Sequence, residues 1–110
     1  MYNFFLPAEM KQYIDIIAVP RKTFKYTKEG PVGLLKNKKA LHIQTAGSLY
    51  HGTELEKFDM DGIYLKSALK LFGIDDFTEL YIEGVDRFRD QHDLIKKNAM
   101  QNAAKIAMNF

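Results

Sequence analysis

The chain predicts an α/β fold with parallel strands, and three features of its pattern carry that expectation. Lys39 to Thr45 alternates, with Leu41, Ile43 and Thr45 on one side of an extended chain and Ala40, His42 and Gln44 on the other. Phe77 to Ile82 alternates again, Phe77, Glu79 and Tyr81 against Thr78, Leu80 and Ile82. Between them lies a helical run from about Met60 to Phe72, and the order strand, helix, strand is that of a right-handed βαβ unit with parallel strands.

The remaining elements follow from local chemistry. Met10, Tyr13, Ile14, Ile17 and Ala18 recur at helical spacing, so a helix is expected over about residues 7–18. Pro7 suits its first position and Pro20 sets its end. Arg21 to Leu35 is not a plain connector. Phe24 and Tyr26 alternate with Lys25 and Thr27, and Gly30-Pro31-Val32-Gly33 is turn chemistry, which predicts an excursion with short extended pieces whose aromatics staple it to the body.

Ile63, Tyr64, Ala68, Leu71 and Phe72 give the helix at about 60–72 a broad apolar face, so it is expected to be mostly buried, with Gly73 stopping it. Asp59 or Asp61 at its start, and Asp75-Asp76 beyond its end, have capping as their expected role. Ile95, Ala99, Ala103, Ile106 and Phe110 mark a last helix over about 90–108. The strands are expected at about 39–45 and 77–82. Two parallel strands make a very small sheet, because parallel sheets are usually larger and covered on both faces.

Composition narrows the functional classes. At 110 residues, 46% hydrophobic and 27% charged, the chain has globular composition suited to one domain. Its net charge of +2 is small and its basic residues are dispersed, which argues against nucleic acid as a partner. Cysteine is absent, which removes disulfides and thiolate chemistry and fits a reducing compartment. No signal peptide and no long apolar run are present, so a cytoplasmic protein without a membrane span is expected. His42, His51 and His92 have no metal-ligand spacing, and Ser48 and Ser67 lack a recognisable histidine and acid arrangement.

The stretch Thr45-Ala46-Gly47-Ser48 ends the first of these strands in small residues, where an open α/β sheet binds its ligands. Met1-Tyr2-Asn3-Phe4 stands just before a helix, where a loop would follow another strand.

Several stretches together resemble one family. They are Met1-Tyr2-Asn3-Phe4 with Leu6-Pro7, Tyr13-Ile14-Asp15, Lys22 to Thr27, Glu29 to Leu35, Lys38 to Gln44, Leu71-Phe72-Gly73-Ile74 and Glu83-Gly84. In this order and spacing they resemble the carboxyl half of FMN-dependent NADH azoreductases, flavodoxin-like quinone oxidoreductases that have also carried an acyl-carrier-protein phosphodiesterase label. The resemblance implies a flavodoxin-like doubly wound parallel sheet, truncated here to its last two strands and last three helices. The first three strands and the FMN-phosphate loop would lie upstream of Met1.

On the same resemblance, Met1, Tyr2, Asn3 and Phe4 match the loop that holds the isoalloxazine ring. Backbone N–H groups, an amide and aromatic rings suit that flat, polar-edged group. Thr45, Ala46, Gly47 and Ser48 match the second flavin loop, with Ala46 in place of its arginine and Ser48 in place of its second glycine. Pro20-Arg21 stands where the family has Ala-Gly. Tyr26 matches an aromatic of the substrate pocket, often across a dimer interface, and Tyr50 lies on the loop leading to it. The implied activity is reduction of a quinone or azo compound by NADH through FMN, in a homodimer. The other reading of the residues is a non-catalytic chain that self-associates through an exposed strand edge.

Overall fold

The structure, a computed structural model, describes all 110 residues. Helix α1 (Ala8–Ile17) starts after Pro7 and carries Glu9 in its first turn, where an acid complements the helix dipole. It closes with the Ala18 N–H donating to Ile14 O, two residues before Pro20. A hairpin follows, β1 (Phe24–Thr27) antiparallel to β2 (Gly30–Gly33). The Thr27 hydroxyl donates to Gly30 O at 2.6 Å across its turn.

The parallel pair is β3 (Lys39–Thr45) and β4 (Asp76–Ile82), in register from Lys39 opposite Asp76 to Thr45 opposite Ile82. Helix α2 (Met60–Leu71) connects them, preceded by a tight turn over Glu54–Phe58. Thr53 caps that turn by accepting from Leu55 N at 3.1 Å. After α2, Gly73 takes φ +99°, a left-handed conformation that glycine adopts without steric cost. The Gly73 N–H donates to Lys70 O and the Ile74 N–H to Leu69 O, so both last-turn carbonyls are satisfied. Leu35 N also donates to Phe72 O, and a β-carbon on Gly33 would lie 2.1 Å from Gly73 N. The strand leading out of the hairpin therefore rests on the end of α2 through bare backbone. A last helix, α3 (His92–Asn109), packs against β4. No helix is long and apolar enough to cross a membrane.

The core is one cluster of Leu6, Ile14, Phe24, Leu65 and Phe72, which joins α1, β1 and α2. Phe72 is 1% exposed. The aromatics of the excursion divide between core and surface: Phe24 is buried and Tyr26 leans edge-on against it with its outer side in solvent. Only 12 of 110 residues are buried, so the packed interior is small. The radius of gyration is 16.2 Å, against about 13 Å for a compact chain of this length. The molecule is open because several apolar faces have nothing packed on them.

Three expectations change. Helix α2 is not mostly buried, since Ile63 is 63% exposed and only Asp61, Gly62 and Leu65 are enclosed. Asp59 stands at the N-cap of α2 without a side-chain cap bond, because its carboxylate is turned inward to other partners. Asp76 is the first residue of β4, and the end of α2 is closed by Gly73 and Ile74 instead.

Candidate functional site

Met1 to Phe4 forms a tight turn. Tyr2 and Phe5 exchange both backbone hydrogen bonds at 2.9 Å, while Asn3 and Phe4 between them take φ of 49° and 69°. Two successive left-handed residues define a type I′ turn, and a phenylalanine there is strained. The turn is anchored at both ends, Met1 N donating to Thr45 O at 3.0 Å and Met60 N to Phe4 O at 3.1 Å. Leu6, buried in the core, holds the chain that leaves it.

Thr45 to Ser48 lies beside this turn at the carboxyl end of β3. The loop after β4 pins it: Ala46 N donates to Ile82 O, Gly84 N to Ser48 O, Val85 N to Ala46 O, and Asp86 N and Arg87 N both to Gly47 O. Ala46 is buried, and a side chain on Gly47 would run into the Asp86 carboxylate. Around the two loops the rings of Phe4, Tyr50 and Phe58 meet, Phe4 edge-on to Tyr50 at 6.3 Å and tilted on Phe58 at 5.4 Å. Tyr2 and Phe4 remain largely open to solvent.

Eight residues picked from the sequence, Met1 to Phe4 and Thr45 to Ser48, are thus brought together, with Tyr50 against Phe4. Tyr26 is not among them. It stands 74% exposed on the hairpin, which is a separate sheet from β3 and β4.

Behind the loops, the α2 side of the sheet carries a polar cluster. His51 is gripped from two sides, Nε2 lying 2.8 Å from Asp59 Oδ2 and Nδ1 lying 3.0 Å from Glu83 Oε2. Its ring lies on Tyr81 with centroids 3.4 Å apart. Gln44 Nε2 donates to Asp59 Oδ1 at 3.1 Å, and Asp61 Oδ1 accepts from Gly62 N at 2.8 Å.

Asp59 and Asp61 are both buried and behave as a pair. Burial, the hydrogen bond to Asp59 and the negative charge of Asp59 push Asp61 up to about 7. Burial resists ionisation of Asp59 as well, but hydrogen bonds from Asp61 and Gln44 together with the neighbouring His51 outweigh it and hold Asp59 below the usual carboxylate range. Below about pH 7 the pair therefore holds one proton, on the Asp61 side, that links the two acids. Burial, then Glu79, keeps the Tyr81 phenol protonated far above its ordinary range.

His42 packs under α2 with Phe77 stacked on its ring, and burial lowers its pKa despite Glu79 at 3.7 Å. No group of three or more histidine, cysteine, aspartate or glutamate side chains is arranged to hold a metal ion.

The polar cluster escaped sequence reasoning. His51 reaches an acid 32 positions away, and Gln44 one 15 away, distances at which no short motif exists. The only local sign was that Asp59 precedes a helix, and that pointed to a cap.

The two loops fit the ring system of a flavin. The backbone N–H groups of Asn3, Phe4, Gly47, Ser48 and Leu49 donate to no protein acceptor. They line two adjoining turns, as a flat ligand with carbonyl acceptors along one edge requires, and Phe4 and Tyr50 offer faces for stacking. Neither loop brings a basic side chain.

These features define a class. Residues 1–106 match the flavodoxin-like fold family, and the chain belongs to that family. Among curated proteins it is 48% identical over its whole length to an FMN-dependent NADH:quinone oxidoreductase of Lactiplantibacillus plantarum, covering 53% of that protein. It is 43% identical to one of Lactococcus lactis, covering 54%. Among solved structures, an azoreductase from Bacillus anthracis superposes with a TM-score of 0.90 at 35% identity, over 99% of this chain and 52% of that one. An FMN-dependent NADH-azoreductase of the same species, in complex with FMN, gives 0.82 at 31% identity over 97% of this chain and 52% of its own. The chain spans about half the length of the relatives it matches.

Proposed function

We propose that this chain is the flavin-ring-binding half of an FMN-dependent NADH:quinone or azo-compound oxidoreductase, in which Met1 to Phe4 and Thr45 to Ser48 hold the ring. The observation that carries the reading is the junction of the two loops through Met1 N and Thr45 O, with unpartnered amides on both. A bound FMN supplies two-electron transfer from the nicotinamide to the acceptor. The residues of this chain bind and orient: the Asn3, Phe4 and Gly47–Leu49 amides address the polar edge, and Phe4 and Tyr50 cover a face. Tyr26, on the hairpin, reaches an acceptor only across an interface between copies, which fits a homodimer.

The FMN phosphate needs anion-binding groups that neither loop provides, and the relatives have twice the length in which to supply them. Titration of the chain with FMN tests the reading, alone and with the amino-terminal half of the Lactiplantibacillus relative added as a separate polypeptide. Retention of flavin absorbance at about 450 nm through gel filtration is expected in the mixture. A mixture that stays colourless rejects the proposal.

A second reading has its own observation. β3 pairs only with β4, so its other edge is unpaired, and Ile43 on the α3 side is 57% exposed. Such an edge supports self-association without catalysis. A chain that elutes as a monomer at high concentration excludes it.

A further inference from the structure

Both nitrogens of the His51 ring are occupied, although the backbone ladder between the Thr45–Ser48 loop and residues 82–87 already holds that loop in place. The next turn, beginning at Tyr50, lies beyond the ladder: Thr53 closes it on itself, its N and Oγ1 donating to Tyr50 O, and side chains tie it to the sheet. Glu83 accepts from Tyr50 N at 3.1 Å through Oε2 and from His51 N at 3.2 Å through Oε1, while Oε2 also faces His51 Nδ1. From the other side Asp59, itself held by Gln44, faces Nε2. Tyr81 lies flat against the ring and blocks rotation away from the two acids.

We propose that His51, held between Asp59 and Glu83, is a latch that positions Tyr50 against Phe4 and so sets the aromatic wall of the flavin pocket. Its functional meaning rests on reading the two loops as flavin loops, whereas the latch is a property of this chain alone. His51, Asp59 and Glu83 are positioning residues: they act through the Tyr50 backbone and not on a ligand.

The contact geometry supports a latch, since each ring nitrogen faces a carboxylate oxygen. A neutral imidazole has one N–H, yet both nitrogens face carboxylate oxygens. Both contacts are hydrogen bonds only when the ring is doubly protonated or one facing carboxyl carries the proton. Below about pH 7 the proton on Asp61 also bonds to Asp59, whose Oδ1 accepts from Gln44 and whose Oδ2 faces His51. Charge-assisted bonds of this kind are about twice as strong as neutral ones. The grip therefore ties the turn at Tyr50, which Thr53 closes only on itself, to the start of α2 and the end of β4.

Amide hydrogen exchange by NMR on the isotopically labelled chain tests the latch, with His51→Gln and Asp59→Asn as variants. The expected result in His51→Gln is exchange of the Tyr50 amide faster by at least about tenfold, with loss of the cross-peak between the Phe4 and Tyr50 rings and unchanged protection of the β3–β4 amides. Asp59→Asn, which keeps shape but cannot accept a proton on its amide nitrogen, moves Tyr50 in the same direction and changes the 15N spectrum of the His51 ring. Tyr50 protection and ring contact unchanged in His51→Gln overturn the latch. So does equal loss of protection along β3, which would make the cluster a support of the whole fold. FMN titration of the same samples reads separately: failure to bind in the presence of a complementing half removes the flavin pocket, while a Tyr50 response to His51→Gln still establishes the latch.

Discussion

The two faces of the β3–β4 sheet are built on opposite principles. On the α2 side, His42, Gln44, Glu79 and Tyr81 lie under a helix with Asp59, Asp61, His51 and Glu83, and hydrogen bonds and ion pairs centred on Asp59 and His51 tie that side together, while His42 Nδ1 and Gln44 Oε1 are buried without a partner. On the α3 side, Ile43, Leu80 and Ile82 face Ile95, Ala99 and Ala103 across a mostly apolar groove of about 450 Å³, with His92 and Lys96 as its polar lining. One face is closed by specificity and keeps a smaller polar cavity of about 210 Å³ beside His51, Asp59 and Tyr81. The other is half closed by area alone, and α3 has no buried residue. Directional bonding thus concentrates behind the candidate cofactor loops, where geometry matters, and loose apolar contact is left where another body can still pack.

The largest effect distinguishing the faces is expected at Asp59. Asp59→Ala removes the acceptor of Gln44, His51 and Asp61 at once and strands buried polar atoms, at a cost of about 3–4 kcal/mol in urea denaturation. Leu80→Ala, on the apolar face and 5% exposed, is expected to cost about 2–3 kcal/mol, near the low end for buried leucine because the open groove admits relaxation. Equal costs, or the reverse order, would break the contrast between a face that depends on pairing and one that depends on area.

How much of this was legible beforehand depended on the range of the interactions. The parallel pair and the Gly73 stop rest on alternation and on one residue's backbone freedom, both local and both visible in the sequence. Which face of β3 would be covered was not visible. Ile43 looks like the inward residue by hydropathy, but His42 and Gln44 are the enclosed ones, because Asp59, just before α2, and Glu79 from β4 come to meet them. Asp59 read as a cap because a helix follows it, and a buried amide and an imidazole outcompeted the helix N–H groups for its oxygens. The meeting of Met1 with Thr45, 44 positions apart, could be inferred only from motif resemblance, since no spacing rule covers that distance.

The Asp59–Asp61 pair gives the polar face a pH dependence that the apolar face lacks. Asp61 is raised from 3.8 to about 7, so between those values the unfolded chain has lost a proton that the folded chain keeps. Stability from this group accordingly falls as pH rises through that window and levels off above it. Asp59 acts oppositely, with a contribution present above its unfolded value and lost on acidification below it. Asp61→Asn keeps a permanent donor to Asp59. It is expected to flatten the slope between pH 4 and 7 and to gain about 1–2 kcal/mol at pH 8. Urea midpoints measured across pH for both proteins decide it, and a parallel pair of curves would place the shared proton elsewhere.

The smallest expected effect on the chain alone carries the most information about the apolar face. Met100 borders the groove on α3 and is 65% exposed. As a surface position, Met100→Glu should change stability by less than about 0.5 kcal/mol. The same substitution puts a charge at the mouth of a groove that any body packing there must dehydrate, and burying an unpaired carboxylate costs several kcal/mol. Association with a second copy or with a complementing half would therefore weaken by about tenfold or more in sedimentation or titration, while the urea midpoint of the isolated chain stays put. A Met100→Glu chain that associates as tightly as the parent would mean that the groove stays open to water in every assembly, and that the free edge of β3 acts without it.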